Sequence, residues 1–450
     1  MIVLASGGYG QQPPVPSPQQ NPSPPPGTPA PAQTTNPQAG SLARDEAVRL
    51  ALTQASAFQQ ARLNELVAAE DVRQAQLAFL PQLASPSSFI YTSPLRAPRA
   101  PGETPTPSFI ASNAITEYLG VVGVTGELDV AGRLRATLRR NVALLAAARA
   151  GTEVARRALV QAVDEAYYGF GLAVARRRSS ELSLGAAEEF ERITQLLLDA
   201  GEVAQVDLTR ARLQTASRRD ELEQARAAEA VAAGGLNVLI GYDLTAPTAV
   251  ADLTMVAPDI AELDRYNTQT IAQRPEFTQF AFQRRAAEQE VNLARAARRP
   301  QITYTVEGGF DTDSLRSTPL RQHSGTMATV NLTIPIFDWG ASRSRERQAR
   351  LRAQTIESER TVALRSFNQQ FYAARAQALS AANRVELLRA SVVEAERNVQ
   401  TSISRYRAGE AQILEVTDAQ TTFASQRAAL YQALFDYQIA RARLAQAAGQ

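Results

Sequence analysis

The segment AGEAQILEVTDAQTTF, residues 408–423, has a near-copy at 200–215, AGEVAQVDLTRARLQT, and the two glycines are 409 − 201 = 208 residues apart. An Ala-rich chain produces chance similarities, so the order of the other landmarks decides whether this is a duplication. AQLAFLPQL (75–83) matches ARAARRPQI (294–302), pairing Ala75 with Ala294, Pro81 with Pro300 and Gln82 with Gln301. At the same spacing Phe58 pairs with Phe277 and Val72 with Val291. LDVAGRLR (128–135) resembles IFDWGASR (336–343), a turn into the next helix. Each half therefore reads helix, Pro, strand, loop, strand, Gly turn, long helix, AGE tip, long helix. Length alone allows about two or three ordinary domains. The repeated punctuation points instead to one elongated architecture made of two halves.

The helical signal is a heptad seam. Val416, Phe423, Leu430, Tyr437 and Leu444 fall seven residues apart, and Ala419, Ala433, Ala440 and Ala447 lie three residues after four of them, with Gln426 completing the row. Large residues on one row and mostly Ala on the other let neighbouring helices approach closely. Subtracting 208 gives Leu208, Thr215, Leu222, Glu229 and Leu236, beside Ala211, Arg218, Ala225, Ala232 and Leu239. The seam recurs there, weakened at Thr215 and Glu229.

The strand signal is alternation. In QITYTVEGGF, Ile302, Tyr304 and Val306 alternate with Thr303, Thr305 and Glu307; in TMATVNLTIPIF, Val330, Leu332, Ile334 and Ile336 alternate with Thr329, Asn331, Thr333 and Pro335. YLGVVGVTGEL repeats the pattern through Val122, Val124 and Leu128, and SFIYTSP (88–94) carries the weakest strand. One apolar and one polar face suits either a half-buried sheet or a membrane barrel. Helices from about 131 to 200 and 341 to 408 would each run to roughly 100 Å. Rods of that length do not pack on a small sheet as a compact domain. Four strands do not close a barrel either, since about eight are needed, so strands crossing lipid would have to be pooled from several chains.

The expected organisation is a Pro-rich, disordered segment over 1–40, a first repeat over 41–245, a connecting segment over 246–268 and a second repeat over 269–450. The first repeat carries strands at about 84–93 and 114–128 and a helical hairpin at about 131–240. In the second repeat the strands fall at about 301–310 and 326–337 and the hairpin at about 341–448. Residues 11–38 hold eleven of the 24 prolines among Gln, Ser, Thr and Asn, a composition that buries no core. MIVLASGGYG has a short apolar stretch and no basic leader region, as the tail of a signal peptide starting upstream would have.

Charge and chemistry narrow the function classes. The net charge is +2 and every basic residue is Arg, without the clustered positive surface a nucleic-acid partner calls for. No Cys is present, which removes disulfides, zinc–thiolate sites and thiol catalysis, and the one His, His323, stands in a polar stretch between two strands. No segment reaches about 18 uninterrupted apolar residues, so no transmembrane helix is expected. No phosphate loop, Ser nucleophile elbow or metal-ligand spacing occurs, so neither a catalytic residue nor a cofactor or metal is assigned.

From Ser41 to Gly449 this order of elements resembles the outer-membrane efflux protein family, the TolC-like channels. FLPQL and RRPQI before the strands, IPIFDWG after the last one, AGE at each tip, VDLTRARL and LEVTDAQTTF opening the return helices, and LNVLIG closing the first half carry the resemblance. It implies a mainly α chain with a small β part, three copies of which form one twelve-stranded outer-membrane barrel continued by a helical tunnel through the periplasm. It implies a homotrimer in outer-membrane lipid, working with a periplasmic adaptor protein and an inner-membrane transporter. It places Glu415 and Asp418 in the acidic ring at the tunnel entrance, although a solvated helix face is the plain reading of either. Tyr406 and Asp207 match positions of a latch between hairpins, with Ala411 and Val206 where an Arg and a Thr would stand and Arg405 or Arg407 as substitutes. Gly201, Glu202, Gly409 and Glu410 fall at adaptor-facing tips; helix termination explains the glycines in any case. The loops 94–111 and 311–323 would face outside.

The leading expectation is a passive exit duct of an efflux or type I secretion system. A helical-bundle scaffold away from any membrane is the alternative, against which the alternating strands count. An enzyme has the least support.

Overall fold

The computed structural model describes residues 41–96, 106–109, 114–252 and 257–449. The expected tether over 1–40 lies outside the described residues. Two short helices, α1 (Arg44–Thr53) and α2 (Ala57–Leu77), lead to β1 (Gln82–Ala84), β2 (Ser87–Tyr91) and β3 (Thr116–Leu128). The long α3 (Arg133–Asp199) and α4 (Gln205–Ile240) follow. Then come α5 (Ile260–Leu263), a 3-10 turn at Thr268–Gln273, α6 (Pro275–Ala296), β4 (Gln301–Thr312), α7 (Ser317–Gln322), β5 (Ser324–Thr333), α8 (Ala341–Arg407) and α9 (Ile413–Ala447).

The duplication is written into the backbone. Helices α3 and α8 are each 67 residues long, or about 100 Å. Among the described residues, glycines with positive φ come in three pairs, Gly132 and Gly340 before the long helices, Gly201 and Gly409 at the tips, Gly241 and Gly449 after the return helices. Each pair is 208 apart: 340 − 132, 409 − 201 and 449 − 241. A side chain in this left-handed region meets the following carbonyl, so these six points fix where each helix starts and stops.

The sheet runs β1-β3-β4-β5, with β2 also on β3, antiparallel throughout. Strands β1 and β2 are one line of chain: Ala84 pairs with Gly123 and Ser87 with Gly120, in a single continuous register. The break falls at Pro86, which has no N–H to offer. The Ser85 hydroxyl donates to the Val121 carbonyl instead (2.9 Å), and Val121 N–H donates to the Pro86 carbonyl. Beyond Tyr91 the ladder continues through Thr92 N–H to Ile115 and Leu95 N–H to Thr106. The final strand is shorter than the alternation suggests, ending at Thr333 rather than near Phe337, because Pro335 removes a donor two residues on. The segment 311–323, expected as a loop, contains the short helix α7.

Register places the alternating residues on two opposed faces. Leu83, Phe89, Val122, Val306, Val330 and Leu332 share one face, and each is more than half exposed. Thr125, Thr305 and Thr329 sit side by side on the other, joined in part by a Thr125–Thr305 hydroxyl contact of 3.3 Å. On the apolar face the Phe310 ring lies over Gly120 and the Tyr304 ring over Gly126, where a Cβ would come within 2.6 and 2.5 Å of them. Among the described residues the outer edges of β1/β2 and of β5 pair with nothing.

The core lies in the helices. Val163, Tyr167, Phe170, Leu236 and Ile240 pack with Ala47 and Ala51 of α1, and Phe435 reaches in from α9. The second half repeats the arrangement with Leu263, Ile271, Phe371, Ala378, Tyr437 and Leu444. The buried Asp164 accepts two bonds of 2.7 Å from Arg44, a forked pairing that ties α1 to α3. Asn237, in LNVLIG, donates to the Ala246 carbonyl (2.9 Å) and accepts from Thr248, anchoring the segment after Gly241. Among the described residues no helix is long and apolar enough to cross a membrane.

Candidate functional site

The duplicated segment forms the turns between α3 and α4 and between α8 and α9, and both close in the same way. At the first tip Gly201 N–H donates to the Leu198 carbonyl and Glu202 N–H to Leu197; at the second Gly409 N–H donates to Tyr406 and Glu410 N–H to Arg405. These reverse bonds consume carbonyls that a helix end leaves open. Gly201, Glu202, Gly409 and Glu410 are all exposed.

Just inside the tips the two hairpins meet in an apolar cluster. Phe190 and Ala211 of the first hairpin pack with Tyr406, Ile413 and Val416 of the second. The Phe190 and Tyr406 rings lie 5.3 Å apart, a contact worth about 0.5–1.5 kcal/mol beyond its burial. Among the described residues the buried Tyr406 hydroxyl has no partner at hydrogen-bond distance. Burial pushes its pKa up, with nearby Thr194 opposing the shift and Asp207 adding to it.

The charged residues expected here take individual places. Arg405 donates to Glu415 across its own turn (2.6 Å) and to the Glu410 carbonyl (3.4 Å). Asp207 accepts from Ala204 N–H (3.4 Å), capping its own helix. Arg407 is exposed; the Glu189 carboxyl of the first hairpin is held below its usual range chiefly by Arg192, with Arg407 contributing. Asp418 is exposed one turn from Glu415. Asp207 thus bears on Tyr406 only through its charge, whereas Arg405 bonds within its own hairpin.

Polar ties between the hairpins lie deeper along the helices, at residues the sequence reading did not select. Arg218 of α4 is buried, paired with Glu221 (2.7 Å), and donates to Thr421 of α9 (3.0 Å). Arg427 of α9 donates to the Ser179 hydroxyl (2.8 Å), the Ser179 carbonyl (2.8 Å) and the Ser183 hydroxyl (2.9 Å) of α3, and lies 4.9 Å from the Phe423 ring. Burial lowers the Arg427 pKa. An arginine on the small row of the seam, at Arg218, is a signal visible in the sequence. A cavity of about 570 Å³ lies between these helices, lined by Arg176, Ser183, Arg218, Glu221 and Thr421 among others. Among the described residues no acidic or His cluster could hold a metal ion.

At the opposite end of the long helices, the turn before α8 is apolar and exposed. Ile336 is 93% exposed and Trp339 91%. Phe337 and Trp339 pack edge to face at 4.8 Å, and Trp339 has a φ of 54°.

Comparison with known proteins follows the same outline. The family model described as "Outer membrane efflux protein" matches residues 47–242 and 268–450. The "Probable efflux pump outer membrane protein TtgC" of Pseudomonas putida is 27% identical over 236 residues, 51% of this chain and 48% of that protein. The chain thus spans about half the length of the first curated relatives it matches. The "Pyoverdine export outer membrane protein OpmQ" of Pseudomonas aeruginosa is 25% identical over 394 residues, 83% of this chain and 80% of that one. Among solved structures, the Campylobacter jejuni CmeC outer membrane channel superposes with a TM-score of 0.77 at 18% identity, covering 90% of this chain and 85% of that chain. With the family model matched across both halves, the chain belongs to the outer membrane efflux protein family.

Proposed function

We propose that the chain is one protomer of a passive exit duct that lies in the outer membrane and reaches through the periplasm. The observation that carries this reading is an amphipathic sheet with two open edges and an exposed apolar face, set on two 67-residue helices. In lipid every strand edge needs a partner. Counting β1/β2 as one strand, two copies supply eight strands, whose interior side chains fill the barrel; three supply twelve and leave a bore. A homotrimer is therefore the favoured assembly. The exposed Trp339, Phe337 and Ile336 suit the boundary between hydrocarbon and periplasm, where amphipathic rings settle.

The helices would then form the tunnel wall. Glu202 and Glu410 at the tips face a periplasmic adaptor, and through it an inner-membrane transporter that supplies the energy. Glu415 and Asp418 line the entrance, with three copies favouring cations. Tyr406, Asp207, Arg405 and Arg407 take part in holding that entrance. Efflux in the names of the matched relatives supports the direction of transport. The family is one of channel proteins, and no catalytic residue or cofactor is part of this reading.

Single-channel recording in a planar bilayer tests it. Wild type is expected to give a small cation-selective conductance, and Glu415→Ala with Asp418→Ala to enlarge it or abolish its selectivity. Protein that stays soluble without detergent and never assembles as a trimer would instead favour the helical-bundle scaffold.

A further inference from the structure

We propose that arginines at the foot of the sheet form a collar that binds anionic phospholipid headgroups of the leaflet facing the helices. This rests on the outer-membrane reading above and adds a ligand to it. Charge is unevenly spread: residues 127–140, 295–299 and 338–347 hold ten arginines against four carboxylates, while the whole chain has a net charge of only +2. Most arginines along the helices are matched; those at Arg156, Arg177, Arg192, Arg226 and Arg397 each pair with a carboxylate on the same helix. Arg139, Arg343, Arg345 and Arg347 are exposed, and the structure gives none of them an ion pair or hydrogen bond with a described residue, although the Asp338 carboxyl is held below its usual range chiefly by the Ser342 hydroxyl, with Arg345 near enough to contribute.

Helix polarity bears directly on Arg343. Helices α1, α4, α6 and α9 carry an acid in the first turn, as the helix dipole favours. The two helices that leave the sheet, α3 and α8, carry none within the helix, and Asp129 and Asp338 just before them accept from Leu134 N–H (2.9 Å) and Ser342 N–H (2.7 Å) instead. Of the four exposed arginines only Arg343 stands in the first turn, where positive charge is opposed by the dipole and an external anion gains from it; Arg139, Arg345 and Arg347 lie beyond that turn. Duplication links two of these, since Arg139 and Arg347 occupy the same place in the two halves, 347 − 139 = 208.

The neighbouring surface identifies that anion as lipid. Trp339 and Phe337 are exposed at the end of the apolar sheet face, and Arg343 and Arg347 follow Trp339 at intervals of four residues. One helical step of four residues rises about 6 Å. Apolar strand, aromatic pair and guanidinium rows therefore succeed one another over about the depth at which acyl chains give way to phosphates. Guanidinium binds phosphate through two parallel bonds.

The test uses purified full-length protein in nanodiscs that mix phosphatidylcholine and phosphatidylglycerol, with retained lipid counted by native mass spectrometry. Trp339 is the only tryptophan, so its emission reports the position of the collar separately. Wild type is expected to retain phosphatidylglycerol about tenfold or more over its share, each arginine contributing about fivefold at an anionic surface. Arg343→Gln, Arg345→Gln and Arg347→Gln together should cut the enrichment to no more than the roughly fivefold share that Arg139 supplies while Trp339 emission stays blue-shifted. Unchanged enrichment in the triple variant overturns the proposal. So does a change in the ion selectivity of the pore with lipid enrichment intact, which would place these side chains in the bore. Should the variant fail to fold, raising salt on wild type decides: headgroup enrichment must fall as screening grows, and salt-independent enrichment overturns it. Trp339 emission typical of water in every bilayer would strike the outer-membrane reading itself, not the collar.

Discussion

Where the second hairpin carries Arg405 bonded to Glu415, the first carries Leu197 at the matching place, and Asp207, the counterpart of Glu415, turns back to cap its own helix. Asp418 of the second faces Arg210 of the first across the same comparison, a reversal of charge. The turns themselves are alike, with φ of 78° at Gly201 and 75° at Gly409 and the same pair of reverse bonds. The lesson is a division of labour. Left-handed glycines and seam residues hold a common backbone, and the side chains around them have been free to diverge in charge.

Four experiments test how far the two hairpins differ. The largest effect is expected from Tyr406→Ala, which empties the contact between hairpins and should cost about 3 kcal/mol locally. Leu198→Ala, its counterpart outside the buried cluster, should cost clearly less, and hydrogen exchange at tip amides reads both. Equal losses would mean the cluster is not the clamp. Gly201→Val and Gly409→Val come next. Both sites open on empty space, so only backbone strain acts, about 1–2 kcal/mol in each; unequal values in the same exchange experiment would show that the turns differ after all.

Exchange of the charge pattern is milder. Arg405→Leu removes an exposed ion pair worth about 0–1 kcal/mol, but it frees Glu415 and should raise cation selectivity in bilayer recordings. Leu197→Arg, offering Asp207 the partner it lacks, should make the first tip behave like the second; no change in either variant would detach these charges from conduction. The smallest effect concerns pH. Glu153 is held below its ordinary pKa mainly by the hydrogen bond from Arg156, against burial, with Arg157 adding to it, and its counterpart in the second half is Thr361. A depressed carboxyl stabilises above its unfolded pKa of about 4.3, and that share is lost as pH falls through the folded value. Wild type should therefore lose more stability than Glu153→Gln on acidification below about pH 4.3 in thermal melts; parallel curves would show that the ion pair contributes nothing.

Much of this architecture is local information and can be read from the chain. The seam of Val416, Tyr437 and Leu444 is buried as its spacing requires, because period and burial are two statements of one geometry. Sheet register follows from alternation, since a slip of one residue would turn Leu332 and Thr333 to opposite faces. The hairpin interior was less legible. Arg427 meets Ser179 at a separation of 248 residues and Arg218 meets Thr421 at 203, and only the folded packing of α3, α4 and α9 sets those distances. Phe190 and Tyr406 are unremarkable helix aromatics until two hairpins lie side by side. Arg405 and Glu415 were visible as charges, but their pairing depends on how the turn at Gly409 brings two helices together.

Equal lengths of α3 and α8 have a consequence for how such a chain can change. Both hairpins start from glycine turns beneath the same sheet and end at tips that touch, so their heights are levelled against each other. An insertion into one hairpin alone lifts that tip by about 1.5 Å for every residue added, and a single heptad offsets it by about 10 Å. Phe190 would then slide past Tyr406, and the two tips would present a step in place of a rim. Lengthening or shortening is therefore an operation on both halves together, in whole heptads, which ties the evolutionary histories of segments 208 residues apart.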